Sequence, residues 1–400
     1  MEEQVKALTH HGMGRLEDGT LVPRVLPGEV IELGDDGAVR IIEPVAQRVK
    51  PVCRHFKSCG GCRVMHASDD FVRDWKTGIA RTALDAHGIE VEFRPIYTSP
   101  PNSRRRAKFS GRRTKKGALV GFHAMASATV VEVPECAVLV ARLKAVIPAL
   151  EDLTLLAASR KSEAQFTVIA SEAGPDVWVE TDKPLDTQLQ VTLATLAQKH
   201  KLARLTWNDE VVVTLAKPVV TFGPAQVMPP PGAFLQATKD AEDVLVDAVL
   251  EAVGGAASVV DLFSGCGTFS FPLAQKAEVH AVEGSAALIA ALDDGFRQTQ
   301  GIKRVTTEVR DLFRRPLEPD ELNRFDAAVI DPPRAGAEQQ IQTLIRSNIE
   351  KIAMVSCNPV TFARDAKALI DGGFTLNWVM PVDQFRWSAH VELVSSFSKS

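Results

Sequence analysis

The chain has 400 residues, of which 45% are hydrophobic and 24% charged, and its formal net charge is −4. This length predicts two or three domains, and the composition is that of a soluble globular protein. No apolar run approaches the roughly 20 residues that a membrane span needs, and the first residues lack a secretory-signal pattern. We therefore expect a cytoplasmic location and no membrane partner. Clustered cysteines in that compartment are expected to bind metal or to take part in chemistry.

The first two segments of the chain are predicted to be rich in β-structure. Closely spaced Gly and Pro residues separate short apolar runs over residues 1–48, which predicts a small β-barrel. Residues 49–228 contain three clustered cysteines and then short β-branched runs, such as Ala128–Val133 and Val211–Leu215. We predict a mainly β central domain there, with one helix over 69–88 whose apolar face holds Phe71, Trp75, Ile79, Ala80 and Ala83.

A run of basic residues interrupts the central segment. It contains Arg104, Arg105, Arg106, Lys108, Arg112, Arg113, Lys115 and Lys116. Such a run can neutralise RNA phosphates, but it is equally typical of a hairpin that simply faces water.

The remaining segment, 229–400, begins after the break Met228–Gly232, which holds three consecutive prolines. An amphipathic helix around Val244–Val249 comes first. Apolar strands then alternate with helices, which predicts a parallel doubly wound sheet. The predicted strands are Ser258–Phe263, Glu278–Glu283, Val305–Asp311, Asp326–Ile330 and Lys351–Cys357.

Three acids and a Gly-rich turn are expected to share one edge of this sheet. Val259–Thr268 predicts a strand followed by the turn, and Glu283, Asp311 and Asp331 each end a later strand. A Gly-rich turn alone is also typical of a purely structural tight turn, and its spacing differs from that of dinucleotide-binding loops. The three acids favour a ligand that contains ribose, adenine and a cationic sulfonium.

The motif Asp331-Pro-Pro-Arg334 has Arg where methyltransferases of exocyclic amines have an aromatic residue, which disfavours amine methylation. Cys357 ends the fifth strand and is either a buried core residue or a nucleophile. Its place before Asn358-Pro359 favours the nucleophile. C5 of uracil takes a methyl group poorly unless a thiolate adds to C6, and a base must later remove the C5 proton.

Glu392 is the candidate base, with His390 expected on the same side of its strand; the alternative is an exposed strand carboxylate. Cys266 lies within the Gly-rich turn and is assigned no chemistry.

The cysteines Cys53, Cys59 and Cys62 have metal-ligand spacing, and Cys136 is the one cysteine left outside the predicted catalytic sheet. Four thiolates suit zinc or a four-iron cluster, and spacing alone does not decide between them. The C-x3-C-x2-C spacing of radical enzymes is absent, which disfavours a radical mechanism.

Together these motifs resemble those of the RNA uridine-C5 methyltransferases, particularly the iron–sulfur branch that modifies 23S ribosomal RNA. The resemblance covers nearly the whole chain. It includes Val22-Pro…Leu26-Pro-Gly-Glu29, similar to a TRAM RNA-binding domain, the Cys53–Cys62 cluster, Phe234–Gln236, Asp261–Phe269, Asp331–Gly336, Ser356–Pro359 and His390–Glu392.

The resemblance implies a multidomain α/β protein: a TRAM/OB-like β-barrel over 1–48, a mainly β central domain with an iron–sulfur cluster over 49–228, and a Rossmann-like class I methyltransferase domain over 229–400. It implies Cys357 as nucleophile and Glu392 as base. The implied S-adenosylmethionine contacts are Gln236, Phe263, Thr268, Glu283, Asp311 and Asp331. The implied ligands of a [4Fe-4S] cluster are Cys53, Cys59, Cys62 and Cys136.

RNA is the expected partner, and no obligate protein partner is evident. Ribosomal RNA is favoured over tRNA because the tRNA-specific branch lacks the cysteine cluster. The chain departs from the family at Phe263, where Tyr is frequent, at Thr268, where Asn is common, and at Arg386–Ala389. The rival functions are a tRNA uridine-C5 methyltransferase, an RNA cytosine-C5 methyltransferase, and a catalytically silent RNA-binding or assembly protein.

Overall fold

The computed structural model describes residues 2–34 and 37–399. Its N-terminal segment contains six short strands: β1 (Glu2–Gln4), β2 (Ala7–Leu8), β3 (Met13–Arg15), β4 (Leu21–Pro23), β5 (Val30–Leu33) and β6 (Val39–Glu43). They form two three-stranded sheets, ordered β1-β5-β6 and β2-β3-β4. A small core that includes Val5, Val25 and Ile31 lies between them. The segment is therefore rich in β-structure as expected, with its strands divided between two sheets.

A long helix, α1 (Asp69–Asp85), follows the cysteine-rich loop. The Ser68 hydroxyl caps it by accepting a hydrogen bond from the Phe71 amide, and two aspartates in the first turn favour the helix dipole. The predicted apolar face is rotated: Phe71, Trp75, Ile79 and Ala83 are only half-buried. The fully buried side chains are Val72, Lys76, Ala80 and Leu84.

The central segment contains, in chain order, β7 (Tyr97–Thr98), β8 (Arg106–Arg113), β9 (Ala118–His123), β10 (Val130–Glu132), α2 (Ala141–Ala145), α3 (Ile147–Ala157), β11 (Glu163–Ser171), β12 (Gly174–Glu180), α4 (Thr187–Lys199), β13 (Arg204–Trp207) and β14 (Glu210–Thr214). Its strands β8 to β14 form one seven-stranded sheet, ordered β10-β9-β8-β11-β12-β13-β14 and parallel only between β12 and β13. Two of its helices, α3 and α4, pack on this sheet around Phe109, Phe166 and Trp207.

The C-terminal segment follows a hairpin of β15 (Val220–Phe222) and β16 (Ala225–Val227). Its elements are α5 (Lys239–Ala252), β17 (Ser258–Leu262), α6 (Ser270–Ala274), β18 (Glu278–Glu283), α7 (Ala286–Gln298), β19 (Val305–Val309), α8 (Pro319–Leu322), β20 (Ala327–Ile330), α9 (Glu338–Ile345), β21 (Lys351–Ser356), α10 (Pro359–Asp371), β22 (Phe374–Asp383) and β23 (Glu392–Lys399). The strands form one sheet, ordered β19-β18-β17-β20-β21-β23-β22-β7.

Five of these strands, β17 to β21, run parallel to one another, as the alternation of strands and helices predicts. Successive strand residues enter opposite cores: Val259 packs on one face of the sheet and Val260 on the other. The sheet differs from the prediction at one end, where β23 is antiparallel to both β21 and β22. The short segment 384–391 joins β22 to β23, so that β23 pairs with β22 in the antiparallel direction.

Contacts cross the predicted domain boundary at 228, and this boundary and the one at 48 remain predictions. The short strand β7 joins the C-terminal sheet beside β22, α1 packs on α10, and the β15–β16 hairpin packs on α7. The carboxyl ends of β17 to β21 lie at one edge of the sheet, and the strand order reverses between β17 and β20. In doubly wound folds, ligands bind at this edge, beside the point of reversal. Within the described residues, no helix has both the length and the apolar character needed to cross a membrane.

Candidate active site

A cavity of about 490 Å³ lies at this edge of the sheet. The residues predicted from separate motifs line it together: Gln236, Phe263, Thr268, Glu283, Asp311, Asp331, Cys357 and Glu392. The exposed ring of Phe234 also reaches the cavity, a residue that the sequence marked only as part of the Phe234–Gln236 motif.

The Gly-rich turn between β17 and α6 forms one wall of the cavity. Gly265 and Gly267 have φ angles of 57° and 100°, a region that side chains disfavour. A Cβ on Gly267 would lie 2.5 Å from the ring of Phe271, whereas a Cβ on Gly265 would meet no protein atom within 4 Å. Gly267 is therefore required for packing beneath the turn, and Gly265 leaves its backbone open to a ligand.

Two of the predicted acids are held by backbone amides beside this turn. Glu283 accepts hydrogen bonds from the amides of Gly265 (3.1 Å) and Ser285 (2.9 Å). Asp311 accepts one from the amide of Phe313 at 3.0 Å, and the Phe313 ring lies 5.4 Å from the ring of Phe263. The carboxylates are thus fixed in place, while the two rings offer an apolar surface in the same cavity.

Asp261 lies fully buried beneath the turn and was not singled out from the sequence. Its Oδ2 accepts a hydrogen bond from the Ser270 hydroxyl at 2.5 Å, and its Oδ1 has no hydrogen-bond partner among the described residues. The pKa of Asp261 is raised to about 7, chiefly by burial and also by the nearby Asp331 and Glu283, while the hydrogen bond from Ser270 opposes the rise. An acid inside the apolar run Val259–Leu262 was the signal that could have identified it.

Cys357 follows β21 directly and is half-buried. The pKa of its thiol is raised to about 11, chiefly by burial and also by Glu392 and Asp331, while Arg334 opposes the rise. The interpretation of Cys357 as a buried core residue does not fit, because it lines both the inner cavity and a second, outer groove.

Glu392 is the first residue of β23 and is only 3% exposed, so the alternative of an exposed strand carboxylate is wrong. Its Oε2 accepts a hydrogen bond from the Gln384 side chain at 2.9 Å. Burial raises the pKa of Glu392, as does the neighbouring Asp331, whose own pKa is also raised by burial. His390, expected on the same side of one strand, instead precedes β23 and lines the outer groove.

The outer groove has a volume of about 830 Å³ and lies between three parts of the chain. It is lined by Thr9, His10, His11 and Arg15 of the N-terminal segment, by Trp75, Ile79 and Ala83 of α1, and by Arg334, Cys357, Asn358 and His390 of the catalytic edge. The rotated face of α1 thus forms one wall of a groove that opens onto Cys357. Two hydrogen bonds, from Asn358 Nδ2 (3.0 Å) and Thr361 Oγ1 (3.2 Å) to the carbonyl of Arg334, join the loop after β20 to Asn358 and the first turn of α10.

The basic run does not form one solvated surface. Arg105 donates to the carbonyl of Gln236 at 3.2 Å and pairs with the buried Glu242. Arg106 donates to the carbonyls of Ala233 (2.9 Å) and Gly232 (3.1 Å), and Arg104 lies over the ring of Phe385. Arg105 and Arg106 thus hold the segment that contains Gln236, and RNA contact by the run remains a prediction.

The second half of the run is different. Its exposed members are Lys108, Arg112, Arg113, Lys115 and Lys116.

The four predicted metal ligands line one further cavity of about 260 Å³, with Phe56, Met65, Arg104 and Phe385 among its other walls. Burial raises the pKa of Cys62, and Cys136, Cys59 and Cys53 raise it further, which places the thiols within electrostatic reach of one another. In the described part of the chain, no group of three or more His, Cys, Asp or Glu side chains is arranged to hold a metal ion.

Comparison with known proteins gives consistent results. Residues 161–399 match the family model for tRNA (uracil-5-)-methyltransferase. An uncharacterized RNA methyltransferase of Brucella suis biovar 1 is 42% identical over 97% of this chain and 95% of its own length. The 23S rRNA (uracil(1939)-C(5))-methyltransferase RlmD of Shewanella halifaxensis is 30% identical over 98% and 94%.

Among solved structures, the chain is similar to Pyrococcus abyssi tRNA (uracil-54, C5)-methyltransferase in complex with S-adenosyl-L-homocysteine. The TM-score is 0.77, the identity is 23%, and 99% of each chain is covered. This likeness establishes a shared fold along the whole chain.

Proposed function

This chain belongs to the RNA (uracil-5-)-methyltransferase family, and from that membership we propose that it forms 5-methyluridine through a covalent Cys357 intermediate. Methylation of uracil C5 in RNA from S-adenosylmethionine is the activity of the family. One observation supports the covalent route above the others: Cys357 lines both the inner cavity and the outer groove. A base that enters from the groove would therefore reach the thiol where the groove meets the inner cavity.

The inner cavity fits S-adenosylmethionine by the chemistry of its walls. Glu283 has its carboxylate at the end of β18, placed to accept hydrogen bonds from ribose hydroxyls, and Phe263 and Phe313 offer an apolar surface for adenine. Asp331 and Glu392 supply negative charge that suits a sulfonium cation. Bound there, S-adenosylmethionine supplies an electrophilic methyl group for the carbon that Cys357 has activated.

Cys357 is proposed to act first. Its Sγ adds to C6 of the uracil, and the electron pair of the C5–C6 double bond moves to make C5 nucleophilic. Because burial raises the pKa of the thiol, its proton has to pass to solvent in the outer groove before the thiolate adds to C6. Arg334 is the cation that lowers this pKa, and it lines both cavities beside the thiol.

Glu392 is proposed to act last. After C5 has gained its methyl group, the carboxylate removes the C5 proton, the C6–Sγ bond breaks, and the double bond and the free cysteine are restored. Burial beside Asp331 raises the pKa of Glu392, which makes its carboxylate a stronger base than an exposed one.

We place the RNA in the outer groove and favour ribosomal RNA as the substrate. The relative from Shewanella halifaxensis acts on 23S rRNA and is similar along almost its whole length. The target uridine has to leave any base stack to reach Cys357 from the groove. Synthetic rRNA and tRNA fragments, incubated with the purified protein and methyl-labelled S-adenosylmethionine, test this choice by nucleoside mass spectrometry. The expected product is 5-methyluridine in the rRNA fragments.

Other products would point to the rival functions. Label in 5-methylcytidine would contradict uracil specificity, and 5-methyluridine confined to tRNA would contradict the ribosomal substrate. Tight RNA binding without turnover on either RNA would instead indicate a silent RNA-binding protein.

The cysteine-lined cavity is proposed to hold a [4Fe-4S] cluster on Cys53, Cys59, Cys62 and Cys136. Four thiols share its walls, and about 260 Å³ is far more space than one metal ion needs. Protein purified without oxygen should contain about four irons per chain and absorb visible light. Cys136→Ser should lose the iron, whereas Cys266→Ser, which changes the buried cysteine of the Gly-rich turn, should retain it. Stoichiometric zinc without iron would contradict this assignment.

A further inference from the structure

Gln384 lies between the proposed base, Glu392, and a proposed cofactor contact, Gln236. It follows the last residue of β22 and is only 2% exposed. Its side-chain nitrogen Nε2 donates to Gln236 Oε1 at 2.6 Å and to Glu392 Oε2 at 2.9 Å. The two protons of one amide group are therefore directed to the proposed base and to a proposed cofactor contact.

A backbone group fixes the orientation of this amide. The amide N–H of Ala237 donates to Gln384 Oε1 at 2.6 Å. If the side chain were inverted, its NH2 group would face that N–H donor, and its oxygen would face two oxygen acceptors. The inverted orientation would leave buried polar groups unpaired, which is costly, so only one orientation is available.

The backbone around Gln384 is also held. The buried Lys76 of α1 donates from Nζ to Asp383 Oδ1 (2.5 Å) and to the carbonyls of Phe385 (3.2 Å) and His390 (2.8 Å). These contacts fix Asp383 and Phe385 on either side of Gln384, and they also fix His390, which lies two residues before Glu392. The amide consequently has little freedom to follow a change in its neighbours.

We propose that Gln384 is a positioning residue that orients the carboxylate of Glu392 and the side chain of Gln236 at the same time. With its Oε1 held by Gln384, Gln236 presents its own Nε2 to Asp331 Oδ2 at 3.5 Å. One side chain thus links the base, the Gln236 side chain and the acid at the end of β20. This assignment rests on the proposed function, because it takes Glu392 as the base.

The bond from Gln384 also acts on the ionisation of Glu392. The ionisable groups that face this carboxylate are Asp331, Arg334 and Cys357. Burial and Asp331 raise the pKa of Glu392, while the hydrogen bond from Gln384 lowers it. Removing this donor should therefore raise the pKa of the base further, and the base would then work only at higher pH.

The test follows the decay of the covalent adduct in single-turnover experiments from pH 6 to pH 9.5, with full-length protein and methyl-labelled S-adenosylmethionine. Gln384→Met keeps the side-chain volume and removes both donors. Its decay rate should be about tenfold lower than that of the wild type at neutral pH and should recover as the pH rises by about one unit. Gln384→Glu should shift the recovery to still higher pH, because an ionised carboxylate beside Glu392 raises the pKa of the base, as Asp331 already does.

Gln340→Met is the matched control. Gln340 is equally buried in the same domain and bonds the backbone of Leu317 (2.9 Å and 3.2 Å), but it does not line the inner cavity. Its loss should lower stability and leave the pH dependence of decay unchanged.

A Gln384→Met profile that coincides with the wild-type profile, or a slowing that is equal at every pH, would overturn the assignment of Gln384 alone. If Gln384→Met does not fold, the profile of Gln384→Glu decides, since a decay rate that keeps the wild-type pH dependence is the contrary result. A wild-type protein that forms no 5-methyluridine would overturn the proposed function, and the role of Gln384 with it.

Discussion

The Glu392→Gln variant should trap a covalent complex between the protein and methylated RNA. Glu392 is buried, and its Oε2 accepts a hydrogen bond from Gln384 at 2.9 Å, which the oxygen of a glutamine amide can accept in the same way. The substitution therefore preserves volume and one hydrogen bond, and it removes a charge that is repelled by Asp331. We expect a folded protein that still binds RNA.

The magnitude follows from the role of the side chain. A positioned general base contributes about 10²- to 10⁴-fold to a proton transfer, so elimination of Cys357 should slow by that factor while addition of the thiol and methylation of C5 continue. The adduct should accumulate as a band that resists denaturant on a gel and contains label from the methyl donor. Cys357→Ala should abolish methylation, and in the double variant the band should be absent.

RNA affinity is measured in parallel, because a change near the groove can also alter docking. If Glu392→Gln binds RNA as the wild type does, turns over at the wild-type rate and traps nothing, Glu392 is not the base.

Three further predictions follow from the ionisable groups. Alkylation of Cys357 should rise with pH up to about 11; Arg334→Gln should shift that rise to higher pH and Glu392→Gln to lower pH, as site-specific mass spectrometry can test. Because the folded pKa of Asp261 is raised from 3.8 to about 7, its contribution to stability is present below pH 4 and lost as pH rises through 7. Between pH 4 and pH 8 the free energy of unfolding, measured in urea, should therefore fall by up to about 4 kcal/mol less in Asp261→Asn than in the wild type. The salt dependence of RNA affinity should flatten when Ala replaces the exposed residues Arg112, Arg113, Lys115 and Lys116. The slope of log affinity against log salt concentration should fall in magnitude by up to about 0.7 to 0.9 for each phosphate that these side chains neutralise in the wild type.

Several residues of the inner cavity could be predicted because each ends a local apolar run. Glu283, Asp331 and Cys357 come at or just beyond the ends of β18, β20 and β21. Parallel strands bring their carboxyl ends to one edge, so a local pattern and a topological rule together placed these three side chains in a common cavity. No long-range contact had to be known in advance.

Other residues could not be predicted because their roles arise only from distant contacts. Lys76 looks like any surface lysine on a helix, yet it bonds Asp383, which lies 307 positions later. Gln384 has no local feature that distinguishes it from other glutamines. The contact of Arg105 with Glu242 could not be predicted for the same reason, since Glu242 lies 137 positions away and a run of charge looks the same whether it faces water or holds a neighbouring segment.

The segment 384–391 joins the cysteine-lined cavity to the proposed base. Phe385 forms part of the cavity wall, and the carbonyl of Trp387 accepts hydrogen bonds from the amides of Arg63 (2.7 Å) and Val64 (3.0 Å), just after Cys62. The same segment leads directly into Glu392 at the start of β23. A group bound by the four thiols would therefore order Cys53–Cys62, and through Trp387 it would hold the approach to the base. This physical connection requires no electron transfer, which agrees with the proposed reaction, whose steps are an addition, a methyl transfer and an elimination.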